Sequence, residues 1–168
     1  TYSERGATIV ETAQEVYKSQ ILLKISPLLP QEVEFLTENQ VILSSLHLNV
    51  TTGQFIRSLM QKRVTAISFE SIRDEDGAHP VVRALSSIAG STSILVAAEY
   101  LSNVNDGKGI MLGGISGITP TEVVILGAGT AGEFAARAAL GLGASVKIID
   151  DSVKRLMSLQ NTLGQRLY

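Results

Sequence analysis

Six residues, Gly127-Ala128-Gly129-Thr130-Ala131-Gly132, stand between an apolar run, Glu122-Val123-Val124-Ile125-Leu126, and a helical stretch that begins at Glu133. Each glycine has its own use. Gly127 permits a tight turn, Gly129 lets the backbone approach a ligand, and Gly132 lets the helix lie close on the strand. The N–H groups of the first helical turn, at Thr130 and Ala131, then point outward with the positive end of the helix behind them, which seats a phosphate without any basic side chain. Val146-Lys147-Ile148-Ile149 leads to Asp150, eighteen residues after Gly132. A carboxylate there can accept hydrogen bonds from the hydroxyls of an adenosine ribose. Strand, turn, helix, strand and acid together imply a dinucleotide site. The charge of Asp150 repels a 2′-phosphate, which selects NAD over NADP. A ligand-free glycine turn is the alternative reading of the same residues. Arg155 falls in the first turns of the following helix, near the adenine side, as a contact or a solvated charge.

His47 follows Val41-Ile42-Leu43-Ser44-Ser45 and so lies at the carboxyl end of a second apolar run, where ligands collect in open α/β sheets. Between Leu46 and Leu48 it reads either as a proton-transfer group or as a hydrogen-bonded core residue. His79, before Pro80 in a polar turn, reads as structural. With no cysteine and two histidines there are no disulfides, no cysteine nucleophile and little material for a metal site, and the cytosol is the simplest compartment. Fourteen basic and sixteen acidic residues are scattered along the chain for a net charge of −2, which argues against nucleic acid as a partner. The longest apolar stretch, Ser87 to Leu101, is interrupted by Gly90, Ser91, Thr92, Ser93 and Glu99, so no membrane span is expected.

These residues need elements to position them. From Ile21 to Phe69 short apolar runs alternate with amphipathic stretches as strand, helix, strand, helix, strand, which predicts a parallel sheet covered on both faces. Thr51-Thr52-Gly53 supplies an N-cap, Phe55, Leu59 and Met60 recur at helical spacing, and Lys62 and Arg63 close that helix near its negative pole. The polar turn from Arg73 to Pro80 marks a boundary. Val81 to Leu101 reads as a bridging helix with Leu85, Ile88, Leu95 and Leu101 near one stripe, where small residues such as Ala84, Ala89, Gly90, Ala97 and Ala98 permit close packing. A packed glycine-rich loop from Asn103 to Thr119 follows. After Asp150, Ser152 caps a helix carrying Leu156, Leu159 and Leu163, which Gly164 ends. The fold class is α/β: a parallel-sheet layer over residues 1–79, a bridging helix over 80–104, and the first half of a Rossmann NAD-binding domain over 105–168. Thr1 and the stretch Gln165 to Tyr168, which looks like the approach to another strand, both read as cuts.

The run Asn105-Asp106-Gly107-Lys108-Gly109-Ile110-Met111-Leu112-Gly113-Gly114-Ile115-Ser116-Gly117-Ile118, leading into Val123 to Gly129, resembles alanine dehydrogenases. The likeness continues in Leu85-Ser86-Ser87-Ile88-Ala89-Gly90, Leu46-His47-Leu48 and Ile21-Leu22-Leu23-Lys24-Ile25, and so covers almost the whole chain. It implies a substrate domain split in sequence around an NAD domain, with this chain starting inside the first and stopping inside the second. It also implies NAD-dependent, reversible deamination of L-alanine to pyruvate and ammonia by an oligomer of identical chains, the fragment alone being inactive. His47 would face the substrate in acid/base chemistry, and Ser86 would lie beside the cofactor. One departure stands out. The family follows this strand with Lys-Glu-Pro, whose lysine pairs with the substrate carboxylate, whereas here Ser26-Pro27 follows Lys24-Ile25. Arg83 is the candidate replacement clamp. A second carboxylate-binding arginine would precede Thr1, and the catalytic aspartate would follow Tyr168. The resemblance extends to the NAD-binding subunit of proton-translocating transhydrogenases, which generally lacks the histidine. An NAD(H)-binding module without amino-acid chemistry is therefore the alternative, and Ser26 supports it.

Overall fold

The structure, a computed structural model, describes residues 1–164 of the chain; the expected approach to a further strand at residues 165–168 lies outside the described residues. The chain divides into two compact units, Thr1–Val81 and Val82–Tyr168. In the first, a short helix α1 (Ala13–Val16) precedes β1 (Ile21–Lys24), α2 (Pro30–Phe35), β2 (Val41–Ser44), α3 (Gly53–Gln61) and β3 (Thr65–Ser68). This is the alternation read from the sequence. The three strands pair in sequential order, all parallel, with Lys24 opposite Ser44 and Ser44 opposite Ser68 at their carboxyl ends. Leu22, Val33, Ile42, Leu46 and Leu59 form the core with Tyr17, whose ring meets Phe35 edge-on at 5.7 Å. Each such side chain contributes about 1.5–3 kcal/mol by leaving water.

The sheet is covered on one face, not on both. Leu22 is buried while its neighbour Leu23, pointing the other way, is 73% exposed, and Ile21, Ile25 and Ile67 share the open face. The reason is topological. Parallel crossovers are right-handed, so strands laid down in sequential order put every crossover helix on the same side. Lys62 also departs from expectation: its Nζ donates to the carbonyls of Val33, Glu34 and Leu36 at 2.6–2.9 Å. It caps the end of α2 rather than the helix it follows, because those carbonyls are the orphaned acceptors nearest its reach.

The second unit contains nearly all of α4 (Pro80–Leu101), then β4 (Glu122–Leu126), α5 (Thr130–Gly141), β5 (Ser145–Ile149) and α6 (Val153–Leu163). β4 and β5 pair in parallel. Their core is made of small residues, Ala135, Ala136 and Ala139, with Val146, Ile148 and Leu159. The opposite face is open here too, with Leu126 80% exposed beside Val124 and Ile149. The loop before β4 is packed: Leu112 is buried, and Thr121 Oγ1 donates to the Met111 carbonyl at 2.7 Å.

The packed stripe of α4 follows Gly90 and Ala98, two of the small residues expected to permit close packing, and keeps Leu101 but not Ile88 or Leu95 of the expected apolar stripe. Gly90 and Ile94 are buried and Ala98 and Leu101 pack beside them, whereas Ile88 and Leu95 are exposed. A Cβ at position 90 would lie 2.2 Å from the Ala131 carbonyl oxygen. Backbone proximity therefore chooses the face, and the smallest residue goes inward. The helix is also long and apolar enough to cross a bilayer by length and composition, with 22 residues and an 18-residue stretch of mean hydropathy 1.5. Length and apolar content establish no more than that, since the core helix of a protein outside membranes meets the same two conditions.

Two open apolar faces on parallel strands should make these 168 residues, expressed alone, associate with rising concentration. Replacing Leu23 and Leu126 by lysine should shift sedimentation toward the monomer. A monodisperse monomer from the unsubstituted chain would contradict this account.

Candidate functional site

In the second unit, parallel pairing sets Leu126 opposite Ile149, so the loop after β4 and the acid after β5 emerge side by side. Gly127 N donates to the Ile149 carbonyl at 2.7 Å and then turns at φ 106°, a conformation that favours glycine. Gly132 is held against the loop it closes, since a Cβ there would lie 1.9 Å from the Gly127 oxygen. Gly129 is the opposite case, for a Cβ there would meet nothing within 4 Å. It opens onto the start of α5, where it is the N-cap and no side chain caps the helix. By contrast, Thr52 caps α3 and Ser152 caps α6 through their hydroxyls. Among the described residues no side chain caps the N–H groups of Thr130 and Ala131, and a helix start of this kind can receive an anion. An anion held by backbone alone fits this place, and the pyrophosphate of NAD is such a group.

Asp150 is placed differently from a carboxylate waiting in solvent. One oxygen accepts from Ala128 N at 2.7 Å and the other from Ser152 N at 2.8 Å. Its side chain is only 4% exposed. The Ala128 N–H, then that of Ser152, hold its pKa below the ordinary aspartate value, with Arg155 adding to the effect from 3.5 Å. The loop's own backbone donors need acceptors, and the nearest carboxylate supplies them. Arg155 is otherwise largely exposed. Ser86 is half-buried one turn before Gly90, on the α4 stripe that packs against the start of α5. Arg83 is exposed.

In the first unit, His47 follows β2 with its backbone in the left-handed region at φ 45°. Histidine enters this region more readily than most side chains. The turn it begins is tied down by Val50 N and Thr51 N on the His47 carbonyl, and by the Thr51 hydroxyl on the Leu46 carbonyl at 2.6 Å. The half-exposed ring places Nδ1 3.4 Å from Glu70 Oε1. Glu70 follows β3 and accepts from the hydroxyls of Ser45, at 2.5 Å, and Ser68, and from Leu46 N. Partial burial pushes the Glu70 pKa up, but these hydroxyl and backbone donors outweigh it and bring the value down to about 2. An anion is therefore fixed beside the imidazole, where it can hold a proton on Nδ1 and leave Nε2 for exchange with a ligand.

Sequence reasoning missed Glu70, Ser45 and Ser68. The clue was in the strand pattern, since Ser44 lies opposite Ser68 in the ladder and the residues just beyond them must converge. Lys24, at the end of β1, does not stand in for the missing family lysine: its Nζ donates to Glu32 at 2.7 Å and to the Pro27 carbonyl at 2.9 Å. Ser26 is exposed, and its carbonyl accepts from the Ser44 hydroxyl at 2.9 Å.

Comparison with known proteins agrees along the whole chain. The family profile described as "Alanine dehydrogenase/PNT, N-terminal domain" matches residues 1–91, and the one described as "Alanine dehydrogenase/PNT, C-terminal domain" matches residues 93–168. The chain is 37% identical to the alanine dehydrogenase of Methanococcus maripaludis, over 99% of its own length and 44% of that protein's. It is 35% identical to that of Staphylococcus saprophyticus, over 99% and 45%. It thus spans about half the length of the curated relatives it matches. Among solved structures, an L-alanine dehydrogenase superposes with a TM-score of 0.82 at 34% identity, covering 99% of this chain and 46% of the other. A transhydrogenase from Sinorhizobium meliloti superposes at 0.77 with 19% identity, covering 98% and 49%, and shares the fold.

The depressed Glu70 pKa fixes the sign of a stability effect. A carboxylate titrating below its ordinary 4.5 stabilises the fold above that pH, and the contribution fades as pH falls toward about 2. Glu70→Gln should therefore lower Tm by a few degrees near neutrality, with the gap to the parent closing between those two values. Thermal melts across that range measure it, and a gap independent of pH would contradict it.

Proposed function

This chain belongs to the alanine dehydrogenase/PNT family, and from that premise we propose that it contributes to an NAD-dependent amino-acid dehydrogenase that interconverts L-alanine with pyruvate and ammonia. The observation that carries the reading is His47, at a sheet's carboxyl edge with Glu70 anchoring its ring. The glycine loop would hold NAD, which when bound would supply the acceptor for the hydride leaving the substrate's Cα. The chain's own residues bind and orient it. Thr130 and Ala131 N–H take the pyrophosphate, and Asp150 directs negative charge at the adenosine ribose and disfavours a 2′-phosphate. Ser86 and Arg155 flank the cofactor, and Arg83 is the candidate cation for the substrate carboxylate. His47 exchanges a proton with the substrate oxygen formed when water adds to the imine, while Glu70 balances the imidazolium that results. Two identical chains or more, in the cytosol, complete the reading.

A second reading is an NAD(H)-binding subunit of the transhydrogenase type, without amino-acid chemistry. Ser26 favours it, because no cation stands at the family's lysine position and Lys24 is committed to Glu32. The two differ in a binding measurement. Pyruvate should change NADH fluorescence in the full-length protein under the dehydrogenase reading and leave it unchanged under the other.

Under the first reading, the full-length protein should reduce NAD with L-alanine, and His47→Ala should lower kcat by about a hundredfold or more, the range general acid–base groups supply. NADH affinity should survive in that variant; full activity would sink the assignment. Gly129→Val, which puts a side chain where the pyrophosphate would lie, should weaken NADH binding at least tenfold by titration calorimetry. Unchanged affinity would move the cofactor elsewhere.

A further inference from the structure

Beside His47 the first unit holds an apolar hollow of about 290 Å³, walled by Pro27, Leu28, Leu46, Val50 and Phe55. It lies where the loops after β1 and β2 meet, at the carboxyl edge of the sheet. We propose that this hollow is a substrate side-chain subsite and that it takes an unbranched aliphatic chain longer than the methyl of alanine. The inference rests on the dehydrogenase reading and names the substrate class more narrowly.

The chemistry of the walls decides which end of a substrate enters. The hydroxyls at the rim are already engaged. Ser45 donates to Glu70, Thr51 donates to the Leu46 and His47 carbonyls, and Thr52 accepts from Phe55 N. No lysine or arginine lines the hollow, and the imidazole is its one ionisable group. Away from His47, a carboxylate or ammonium placed there would lose hydration and meet no charged partner. An alkyl chain sheds no hydration that it needs and covers the apolar surface that Val50 and Phe55 leave open, Leu28 and Leu46 being buried already.

Size decides how long the chain is. A methyl group is close to a water molecule in volume, whose share of the liquid is about 30 Å³. The hollow is open to solvent on one side, so the methyl of alanine would leave most of its apolar wall in water, and added methylenes gain by covering that wall. Val50 is exposed at its mouth, so a larger residue there narrows the entrance without entering the core.

The test uses the full-length protein with NAD and compares kcat/KM for L-alanine, L-2-aminobutyrate and L-norvaline. L-Norvaline is expected to equal or exceed L-alanine, and Val50→Trp is expected to lower the norvaline-to-alanine ratio tenfold or more. A lower value for L-norvaline than for L-alanine in the parent protein overturns the subsite, as does a ratio that Val50→Trp leaves unchanged in a variant of parental Tm. Oxidation of alanine alone would defeat the subsite and leave the dehydrogenase reading standing. Oxidation of none of the three would defeat both.

Discussion

Parallel pairing is the constraint on which the candidate sites depend. When every strand runs the same way, all carboxyl ends meet at one edge, and each return must cross as a helix. In the first unit that edge brings Lys24, Ser44 and Ser68 level with one another. The next few residues, Ser26, Ser45, His47 and Glu70, therefore converge although long crossovers separate them in sequence. The second unit repeats the device with two strands, so that Gly127 and Asp150 leave the sheet together. The same constraint explains why each sheet has a bare apolar face, because sequential order with crossovers of one hand covers a single side.

At the glycine loop, architecture and recognition use the same groups. With glycine as its N-cap, α5 has no capping side chain among the described residues, and the open space over Gly129 would let a ligand reach its first backbone donors. Asp150 binds Ala128 N and Ser152 N, which closes the loop and fixes a negative charge at its lip. The proposed preference for NAD thus comes from a side chain that also holds the turn in shape. Its low exposure follows from that first task.

In the first unit the charges are paired before any ligand arrives. Lys24 is held by Glu32, and donors from Ser45, Ser68 and Leu46 hold Glu70 ionised next to His47. What this leaves beside the imidazole is an oriented proton donor or acceptor and an apolar hollow. That combination suits proton exchange at a neutral centre with an aliphatic neighbour. The left-handed backbone of His47 belongs to the same arrangement, since it turns the chain at the place where the ring must face outward.

The strand and helix order, the parallel sense, the cap at Ser152 and the glycine loop with its acid were all legible in the sequence, because each depends on neighbours within a few residues or on a repeating period. Glu70 was not legible, since its meaning depends on which strand lies beside β2 and in what register. Nor was the partner of Lys62, which reaches across to a helix whose end no local pattern locates. The buried stripe of α4 was legible in part: Gly90 and Ala98 stood out as residues that permit close packing, but apolar spacing also turned Ile88 and Leu95 inward, where the contact with Ala131 left no room for a side chain. The sequence by itself determined the elements and the type of cofactor loop they could build. Only the tertiary structure decided which groups face each other, because that depends on strand register and close backbone approach, which involve residues far apart in the chain.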